Sequence, residues 1–332
     1  MTSLAGPLLI GVATFIALVP WGERLVRALL ARGIGKQVRD DEPDAHQVKT
    51  GTATMGGLYF LSGIMVVTII LALSGRPEGI APLIAMVGYG LLGAFDDWRG
   101  LHDRGGVGWA ARYKFPAQWG TALLLALIAI TLTTRRGLSV PITGQWIELG
   151  WWMVPILMFL IVYTSNAVNL TDGLDGLAGG TAALGFAAFG VLAMSTQRGP
   201  FEWGLSAFCF AVVGALGAFL WVNTHPARLF MGDLGSQALG AGLAVVAVQS
   251  GHWLLLPVIG VVFLVETLSV MIQVSYFKAT RRKFGEGRRV FRMAPIHYHF
   301  ELGGWSEVQI VVRAWMVTAA AAIVGLVLGG GI

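Results

Sequence analysis

The sequence predicts an all-α polytopic membrane protein with about ten transmembrane helices. Of its 332 residues, 55% are hydrophobic and only 12% are charged, whereas about 25% of the residues of a soluble domain are charged. The single cysteine, Cys209, lies inside an apolar run, so neither a disulfide framework nor a cysteine metal site is expected. No repeat period or low-complexity tract divides the chain. We therefore treat residues 1–332 as a single integral membrane domain.

The predicted membrane helices are apolar runs close to the length, about 17 residues or more, that a ~30 Å hydrocarbon core requires. The first run has no basic region before it and no small-residue cleavage site, which favours a retained helix over a signal peptide. Several runs are short or rich in glycine. We place the helices near residues 4–22, 54–74, 79–95, 118–134, 151–170, 177–195, 202–221, 236–250, 252–274 and 308–329.

Lysine and arginine are distributed unevenly between the loops on the two sides. If both termini lie outside the cell, 18 of the 23 basic residues fall in the inside loops near residues 23–53, 96–117, 222–236 and 275–307. The outside loops carry Arg76, Arg135, Arg136 and Arg198, and Arg313 lies in the last helix. Because cytoplasmic loops carry the excess of positive charge, this distribution predicts outside termini and an even number of helices. The acidic clusters then lie on the cytoplasmic face, where we expect the active site.

The first inside loop has an acidic part and a part rich in threonine and glycine. We interpret the acidic run at residues 40–44 as a solvated face. The second part offers the cation Lys49, hydroxyl groups such as that of Thr54, and glycines with accessible backbone N–H groups, just where a helix begins. These groups suit an anionic or sugar-bearing ligand. A flexible turn explains them equally well.

Two adjacent carboxylates, Asp96 and Asp97, stand at the end of the third predicted helix. Their side chains diverge by ~100° on a helix, so the pair is suited to two tasks, such as holding a metal and accepting a proton. The alternative is an acidic pair that only bounds a membrane helix. Arg112 and Lys114, later in the same loop, suit phosphate binding, although bases beside a membrane are also ordinary topology anchors.

The outside loop at residues 135–150 alternates between apolar and polar residues. This alternation predicts a small β-hairpin around Thr143-Gly144. Nothing in the loop indicates chemistry.

The densest group of polar side chains, Asn166, Asn169, Asp172 and Asp175, follows an apolar run at three-residue intervals. Such groups at the end of a membrane helix are costly unless they have a function. At ~100° per residue the first three span about 120° of one helix face, and the glycines that follow would let Asp175 turn back towards them. The pattern predicts a polar site at the membrane surface. A capped helix end and a turn would account for only one or two of these residues.

Asp233 stands between two glycines at the start of a predicted helix, where it is either a cap or an oxygen ligand. With Asp96, Asp97, Asp172 and Asp175, it brings five carboxylates to one side of the membrane. Cysteine is absent from these loops and histidine is scarce. Because hard oxygen ligands without thiolates select Mg²⁺ or Mn²⁺ over zinc, the sequence predicts a site for one of these ions.

The last inside loop, residues 275–307, is the longest and most basic, and it contains His297 and His299. Next to a carboxylate and phosphate site, its imidazoles and arginines would bind diphosphate or move protons. Attraction to anionic lipid is the alternative for the arginines. In an extended segment the two imidazoles share one side, whereas in a helix they diverge by ~200°. Together, these loops describe phosphoryl transfer at a bilayer face, with carboxylate-bound Mg²⁺ bridging a diphosphate.

The motifs that carry these residues resemble the phospho-N-acetylmuramoyl-pentapeptide transferases, bacterial enzymes of the polyprenyl-phosphate N-acetylhexosamine-1-phosphate transferase superfamily. The resemblance covers essentially the whole chain. The segment Pro295-Ile-His297 distinguishes this branch from relatives that use other sugar nucleotides. The matching segments are residues 51–57, 95–97, 111–114, 166–176, 230–236, 266–273 and 291–301.

The resemblance implies Mg²⁺-dependent transfer of phospho-MurNAc-pentapeptide from UDP-MurNAc-pentapeptide to undecaprenyl phosphate. The products would be lipid I and UMP, in the first membrane step of peptidoglycan synthesis. The resemblance also implies a homodimer in the bacterial cytoplasmic membrane, with periplasmic termini and no nucleic-acid partner. Direct attack by the lipid phosphate and a two-step route through an aspartyl-phosphate both remain open. We favour direct attack because a phosphate dianion is already a competent nucleophile.

The resemblance also implies roles for individual residues, with Asp233 as the metal ligand and Asp96 and Asp97 serving the phosphate and proton steps. The candidate catalytic residues are Asp96, Asp97, Asp233 and His297. The candidate substrate-binding residues are Lys49, Thr54, Lys114, Asn166, Asn169, Asp172, Asp175, Phe230, Gln273 and His299. Of these, Lys49, Thr54, Asp175, Phe230 and Gln273 match positions that contact the nucleoside.

Three positions depart from the family pattern. Ala53 stands where proline is usual, and Tyr298 interrupts a usual run of three histidines. Arg99-Gly100 stands where the family has a lysine after the aspartate pair, which puts one phosphate contact in question. Because of Tyr298, we take His297 as the imidazole to test.

Two other functions fit parts of the sequence. A sister transferase that uses UDP-GlcNAc would share the aspartates, and a lipid-linked GlcNAc product would reveal it. A secondary transporter would need acidic residues near helix centres, where only Glu266 lies.

Overall fold

The computed structural model describes residues 4–35, 49–102, 108–133, 136–195 and 202–330. The acidic run at residues 40–44 and two outside basic residues, Arg135 and Arg198, lie outside these ranges. The α-helices of the described chain are α1 (Ala5–Leu30), α2 (Gly57–Leu73), α3 (Ile80–His102), α4 (Ala111–Leu132), α5 (Met153–Thr171), α6 (Leu177–Leu192), α7 (Trp203–Asn223), α8 (Gly232–Gln249), α9 (Leu256–Ile259), α10 (Val261–Phe284), α11 (Ile296–Glu301) and α12 (Glu307–Gly329). Short 3₁₀ turns at Pro77–Gly79, Gly150–Trp152 and Trp253–Leu255 precede α3, α5 and α9.

The prediction of a mostly helical membrane protein is confirmed. Two apolar helices, α2 and α6, have 17 and 16 residues, and α8 is buried along its length from Leu234 to Gln249. Because protein surrounds α8, it carries polar residues that a lipid-exposed helix would not tolerate. Within the described chain, 7 segments are long and apolar enough to cross a membrane. They are Ala5–Leu30, Pro77–His102, Ala111–Leu132, Gly150–Thr171, Trp203–Asn223, Val261–Phe284 and Glu307–Gly329.

The central helix α8 is held close to its neighbours by small residues. A Cβ atom added at Gly93 of α3 would collide with the backbone of Asp233, and one added at Gly240 would collide with that of Thr164 in α5. Glycines at such crossings let helix backbones approach closely, as is common between membrane helices. This approach brings the start of α8 against the end of α3, where the predicted aspartate pair lies.

The predicted hairpin is confirmed, and it marks the end of the bundle opposite to the polar loops. Strands β1 (Gly137–Ser139) and β2 (Trp146–Glu148) are antiparallel, with Leu138 opposite Ile147. The backbone N–H of Ser139 donates to the carbonyl of Gly251, just after α8. The opposite side of the bundle therefore contains the C-terminal ends of α3 and α5 and the N-terminal ends of α4, α8 and α12.

The ninth predicted helix differs from the structure at both ends. Gly260 separates the short α9 from α10, and α10 continues to Phe284 instead of ending near residue 274. An apolar-run criterion stops where basic residues begin, although lysine and arginine are good helix formers. Arg281, Arg282 and Lys283 occupy the last turn, where positive charge interacts favourably with the helix dipole.

The extended conformation considered for the histidine segment is wrong, because residues Ile296–Glu301 form helix α11. Pro295 precedes the helix with φ −59°, a value close to that of the first helical turn. His297 and His299 therefore diverge instead of sharing one side.

Candidate active site

Two carboxylates share one ammonium group at the polar end of the bundle. Asp96 lies near the end of α3, Lys114 in the first turn of α4, and Asp233 in the first turn of α8. The Nζ atom of Lys114 is 2.6 Å from Asp233 Oδ2 and 3.3 Å from Asp96 Oδ2. All three side chains are mostly buried. The structure therefore brings Asp233 to Lys114, which stands 119 positions before it in the sequence.

Asp97, and not Asp233, caps helix α8. Its Oδ1 accepts a hydrogen bond from the backbone N–H of Asp233 at 2.9 Å, and its Oδ2 accepts one from that of Leu234 at 3.0 Å. Backbone N–H groups of a first helical turn need such acceptors. The sequence left two roles open for Asp233, a helix cap and an oxygen ligand. Because Asp97 of α3 supplies the cap, the carboxylate of Asp233 is directed to other side chains.

Asp233 is surrounded by donors from three helices. Its Oδ1 accepts from Asn169 Nδ2 of α5 at 2.8 Å, and its Oδ2 accepts from Gln237 Nε2 of α8 at 3.0 Å in addition to Lys114. Asn169 Nδ2 also lies 2.9 Å from Ser236 Oγ. These contacts fix the orientation of the carboxylate plane.

A chain of carboxamides extends from this site into the bundle. Asn166 Nδ2 donates to Gln118 Oε1 at 3.1 Å, and Gln118 Nε2 donates to Gln237 Oε1 at 3.2 Å. Gln118 and Gln237 are 1% and 0% exposed. The sequence analysis missed both residues, although uncharged amides inside otherwise apolar helices are the signal that would have indicated them.

A second ionic cluster forms around Asp175. The Nζ atom of Lys49 is 2.8 Å from Asp175 Oδ1 and 2.7 Å from Glu307 Oε1. His225 Nδ1 is 3.0 Å from Asp175 Oδ2, which also accepts from the backbone N–H of Ala227. The expectation that Asp175 turns back towards Asn166 and Asn169 is wrong, because its carboxylate is directed to this separate cluster. Asp172 lies at the C-terminal end of α5.

The pKa values of this cluster favour its charged form. Burial alone would lower the pKa of the Lys49 ammonium, but hydrogen bonds and charges from Asp175 and Glu307 outweigh it and raise that pKa. Burial acts to raise the pKa of Asp175, and the Lys49 ammonium outweighs this and holds it below its usual value. The pair is thus ionised at neutral pH. The sequence analysis missed His225, which lies in the loop before α8, and Glu307, which lies at the start of α12.

The acidic groups of the second cluster resemble a metal site, but a lysine already neutralises one of the two carboxylate charges. Ligand atoms of Asp175, His225 and Glu307 lie within 4.8 Å of one another. The Lys49 ammonium contacts both carboxylates directly. In the first cluster, the Lys114 ammonium contacts Asp96 and Asp233, and Asp97 adds a third carboxylate beside them through the backbone of Asp233. The first cluster therefore retains the excess of negative charge that a divalent cation would balance.

His297 forms a buried pair with Glu266. Its Nδ1 is 3.0 Å from Glu266 Oε2, and the side chains are 1% and 5% exposed. Within the described residues, His297 Nε2 has no hydrogen-bond partner, and it faces Gly173, where an added Cβ would collide with it. The intramembrane carboxylate that a transporter would need is therefore engaged by an imidazole.

Tyr298 does not point away from His297, as it would in an extended segment. Its hydroxyl would lie 3.2 Å from a Cβ at Gly173, so both side chains face the same turn after α5. The tyrosine ring packs in a small buried cluster with Leu174, Leu177, Ile310 and Val311.

The remaining predicted residues hold the loops around these clusters. Gln273 Oε1 accepts from the backbone N–H groups of Val290 and Phe291, each at 3.0 Å. His299 Nδ1 accepts from the backbone N–H of Arg292 at 3.1 Å. These two side chains therefore support the arginine-rich loop after α10.

The loop that contains buried Thr54 docks on the segment before α8. The backbone N–H of Phe230 donates to the carbonyl of Ala53 at 2.7 Å, and the carbonyl of Phe230 accepts from Gly56 at 2.8 Å. This docking ties the first predicted motif to the start of α8. Thr54 is 6% exposed.

Known proteins resemble the chain along most of its length. The family described as glycosyl transferase family 4 matches residues 80–251. A phospho-N-acetylmuramoyl-pentapeptide-transferase of Chloroflexus aurantiacus is 46% identical over 331 residues, which cover 97% of this chain and 89% of the relative. Proteins of the same name are 45% identical with the same coverage in Chloroflexus aggregans and 42% identical over 298 residues in Bacillus mycoides, where the match covers 89% of each chain.

Proposed function

Because this chain belongs to the phospho-N-acetylmuramoyl-pentapeptide-transferase family and is a phospho-sugar transferase, we propose that it transfers phospho-MurNAc-pentapeptide from UDP-MurNAc-pentapeptide to undecaprenyl phosphate. The products are lipid I and UMP. The observation that carries the proposal is the pair of Asp96 and Asp233 around Lys114 at one end of a membrane bundle, with Asp97 bound to the backbone of Asp233. A carboxylate group with an embedded cation suits a metal-bound diphosphate better than a neutral substrate.

We assign Asp233 as the ligand for Mg²⁺. A carboxylate has about four acceptor positions, and Asn169, Lys114 and Gln237 use three of those of Asp233. Its oxygens are the hard donors that Mg²⁺ prefers. When bound, Mg²⁺ would neutralise the diphosphate and polarise the phosphorus that is attacked.

The residues around Asp233 have complementary tasks in this proposal. Lys114 places positive charge beside the diphosphate, and Asn169 and Gln237 hold the Asp233 carboxylate in one orientation. Asp96 serves the phosphate and proton steps, and Asp97 keeps the start of α8 in place. Asp172, at the end of α5, is assigned to diphosphate binding. The acceptor phosphate attacks directly, because it is already a dianion and needs mainly positioning and charge neutralisation.

The second cluster is proposed to receive the nucleotide end of the donor. Lys49, Asp175, Thr54 and Phe230 belong to three loops that meet there, and Gln273 supports the neighbouring arginine loop. His297 offers Nε2 to the diphosphate between the two clusters, with His299 holding the loop behind it.

A competition experiment tests the choice of donor. Purified protein in lipid nanodiscs receives undecaprenyl phosphate with equal concentrations of UDP-MurNAc-pentapeptide and UDP-GlcNAc, and mass spectrometry identifies the lipid products. We expect lipid I. Lipid-linked GlcNAc as the main product would favour the sister transferase and contradict the proposal.

We propose that ten helices, α1 to α8, α10 and α12, cross the cytoplasmic membrane of a bacterium, with both termini in the periplasm. The distribution of lysine and arginine supports this orientation, as does the polar site at one end of the bundle. The active site then faces the cytoplasm, and the hairpin faces the periplasm. The resemblance to the family favours a homodimer.

Cysteine labelling tests the orientation. We expect Glu286→Cys, after α10, to react with a membrane-impermeant maleimide only from the cytoplasm, and Thr143→Cys, in the hairpin turn, only from the outside. Both positions are exposed. The native Cys209 is buried and gives a silent background. Reversed labelling would contradict the proposed location of the site.

A further inference from the structure

Glu307 connects three segments of the second cluster. It lies in the first turn of α12, and its Oε1 accepts from Lys49 Nζ at 2.7 Å and from the backbone N–H of Asp175 at 2.6 Å. Its Oε2 is 3.2 Å from His225 Nδ1. One carboxylate thus joins the loop before α2, the turn between α5 and α6, and the loop before α8 to the last helix of the protein.

Without Glu307, the lysine of this cluster would keep only one acidic partner. Lys49 has a long flexible side chain, whose ordering costs rotamer entropy. Its side chain is 14% exposed, and Asp175 and Glu307 are buried further. The two carboxylates hold the ammonium in one position before a ligand arrives. Ordering of this kind before binding improves affinity.

The backbone contact has a second consequence. Because Glu307 accepts from the N–H of Asp175, it fixes the turn that carries the Asp175 carboxylate. The other oxygen of that carboxylate accepts from Ala227 and faces His225. Removal of Glu307 would therefore displace the Asp175 carboxylate as well as Lys49.

We propose that Glu307 is a positioning residue that pre-organises Lys49 and Asp175 for the nucleotide end of the UDP-linked donor. This inference rests on the proposed function. Glu307 acts through Lys49 and Asp175, so its removal should weaken donor binding much more than it slows the chemical step at Asp233.

A purely structural role at the start of α12 is the competing explanation. Acidic residues in a first helical turn interact favourably with the helix dipole. The same helix start also has a capping box, in which Ser306 and Gln309 bond each other's backbone N–H groups. Gln309→Ala is therefore a matched control, because it weakens the same helix end and leaves Glu307 in place.

The test compares Glu307→Ala, Glu307→Gln and Gln309→Ala with the unmodified protein in nanodiscs. We expect Glu307→Ala to raise KM for UDP-MurNAc-pentapeptide about tenfold or more and to weaken UMP binding similarly, with kcat changed by less than about threefold. Glu307→Gln still accepts hydrogen bonds but lacks the charge, so a smaller increase in KM is expected. Gln309→Ala should lower the melting temperature and leave KM unchanged.

Two results would overturn the inference. One is that Glu307→Ala has the same KM as the unmodified protein. If the alanine variant does not fold, the same result in Glu307→Gln would overturn the inference. The other is an equal increase in KM in Gln309→Ala, which would reduce Glu307 to a structural element of α12. If instead the proposed function is wrong, the unmodified protein itself will form no lipid I from saturating substrates. That result is different from both of these.

Discussion

Replacing Asp233 with asparagine is expected to lower the rate of phospho-sugar transfer by about three orders of magnitude. A bound metal ion supplies several kcal/mol of stabilisation to the transition state, and each 1.4 kcal/mol corresponds to a tenfold change in rate. Asparagine keeps the approximate shape of the side chain but not its charge. It also replaces one accepting oxygen with an N–H₂ group, either Oδ1, which accepts from Asn169, or Oδ2, which accepts from Lys114 and Gln237.

The melting temperature of Asp233→Asn should change little compared with this loss of activity. The cap of α8 comes from Asp97 and remains, and Lys114 keeps Asp96 as a partner. Glu78→Gln is the matched control, because it makes the same change from carboxylate to carboxamide at the opposite end of α3. Turnover and thermal unfolding are measured on both variants. A stable Asp233→Asn protein with near-normal turnover would exclude Asp233 as the metal ligand.

Replacing His297 with alanine is expected to reduce turnover about 100-fold or more, since a preorganised polar group that contacts the reacting diphosphate is worth about 10²–10³ in turnover. Glu266 fixes the orientation of the ring through Nδ1, which leaves Nε2 directed at the turn that follows Asp172. Glu266→Gln can still accept from Nδ1 and so keeps this orientation. We therefore expect Glu266→Gln to lose much less turnover than His297→Ala in the same assay.

Tyr298→His separates catalysis from packing in the same helix. Since the tyrosine ring is buried against Leu174, Leu177, Ile310 and Val311, the smaller and more polar histidine should destabilise the protein by about 1–3 kcal/mol. Its effect on turnover should remain much smaller than that of His297→Ala. A larger loss of turnover in Tyr298→His than in His297→Ala would show that the wrong side chain has been assigned to the diphosphate.

The sequence predicted those features that depend on local patterns. Apolar runs located the long helices, and alternation located the hairpin at residues 135–150. Carboxylates and carboxamides beside apolar runs identified Asp96, Asp97, Asn169 and Asp233, because such groups are costly at a membrane unless they are used.

Contacts between distant segments could not be predicted in this way. Glu307 and Lys49 are separated by 258 positions, and nothing in either local sequence indicates the other. The capping of α8 by Asp97 of α3 depends on the close approach of two helices at glycines. The roles of Gln118 and Gln237 were not predicted, because uncharged amides barely interrupt an apolar run. Likewise, alternation at residues 296–300 suggested an extended segment, whereas Pro295 starts a short helix there.

The central claim is that Asp233 and its neighbours support metal-dependent phospho-sugar transfer, and one titration tests it most directly. Purified protein in nanodiscs is stripped with EDTA, supplied with radiolabelled UDP-MurNAc-pentapeptide and undecaprenyl phosphate, and titrated with Mg²⁺. We expect no transfer without the ion and saturable formation of lipid I and UMP in equal amounts once it is added. Full-rate transfer in the presence of EDTA, or no lipid I at saturating Mg²⁺ and substrates, would contradict the account.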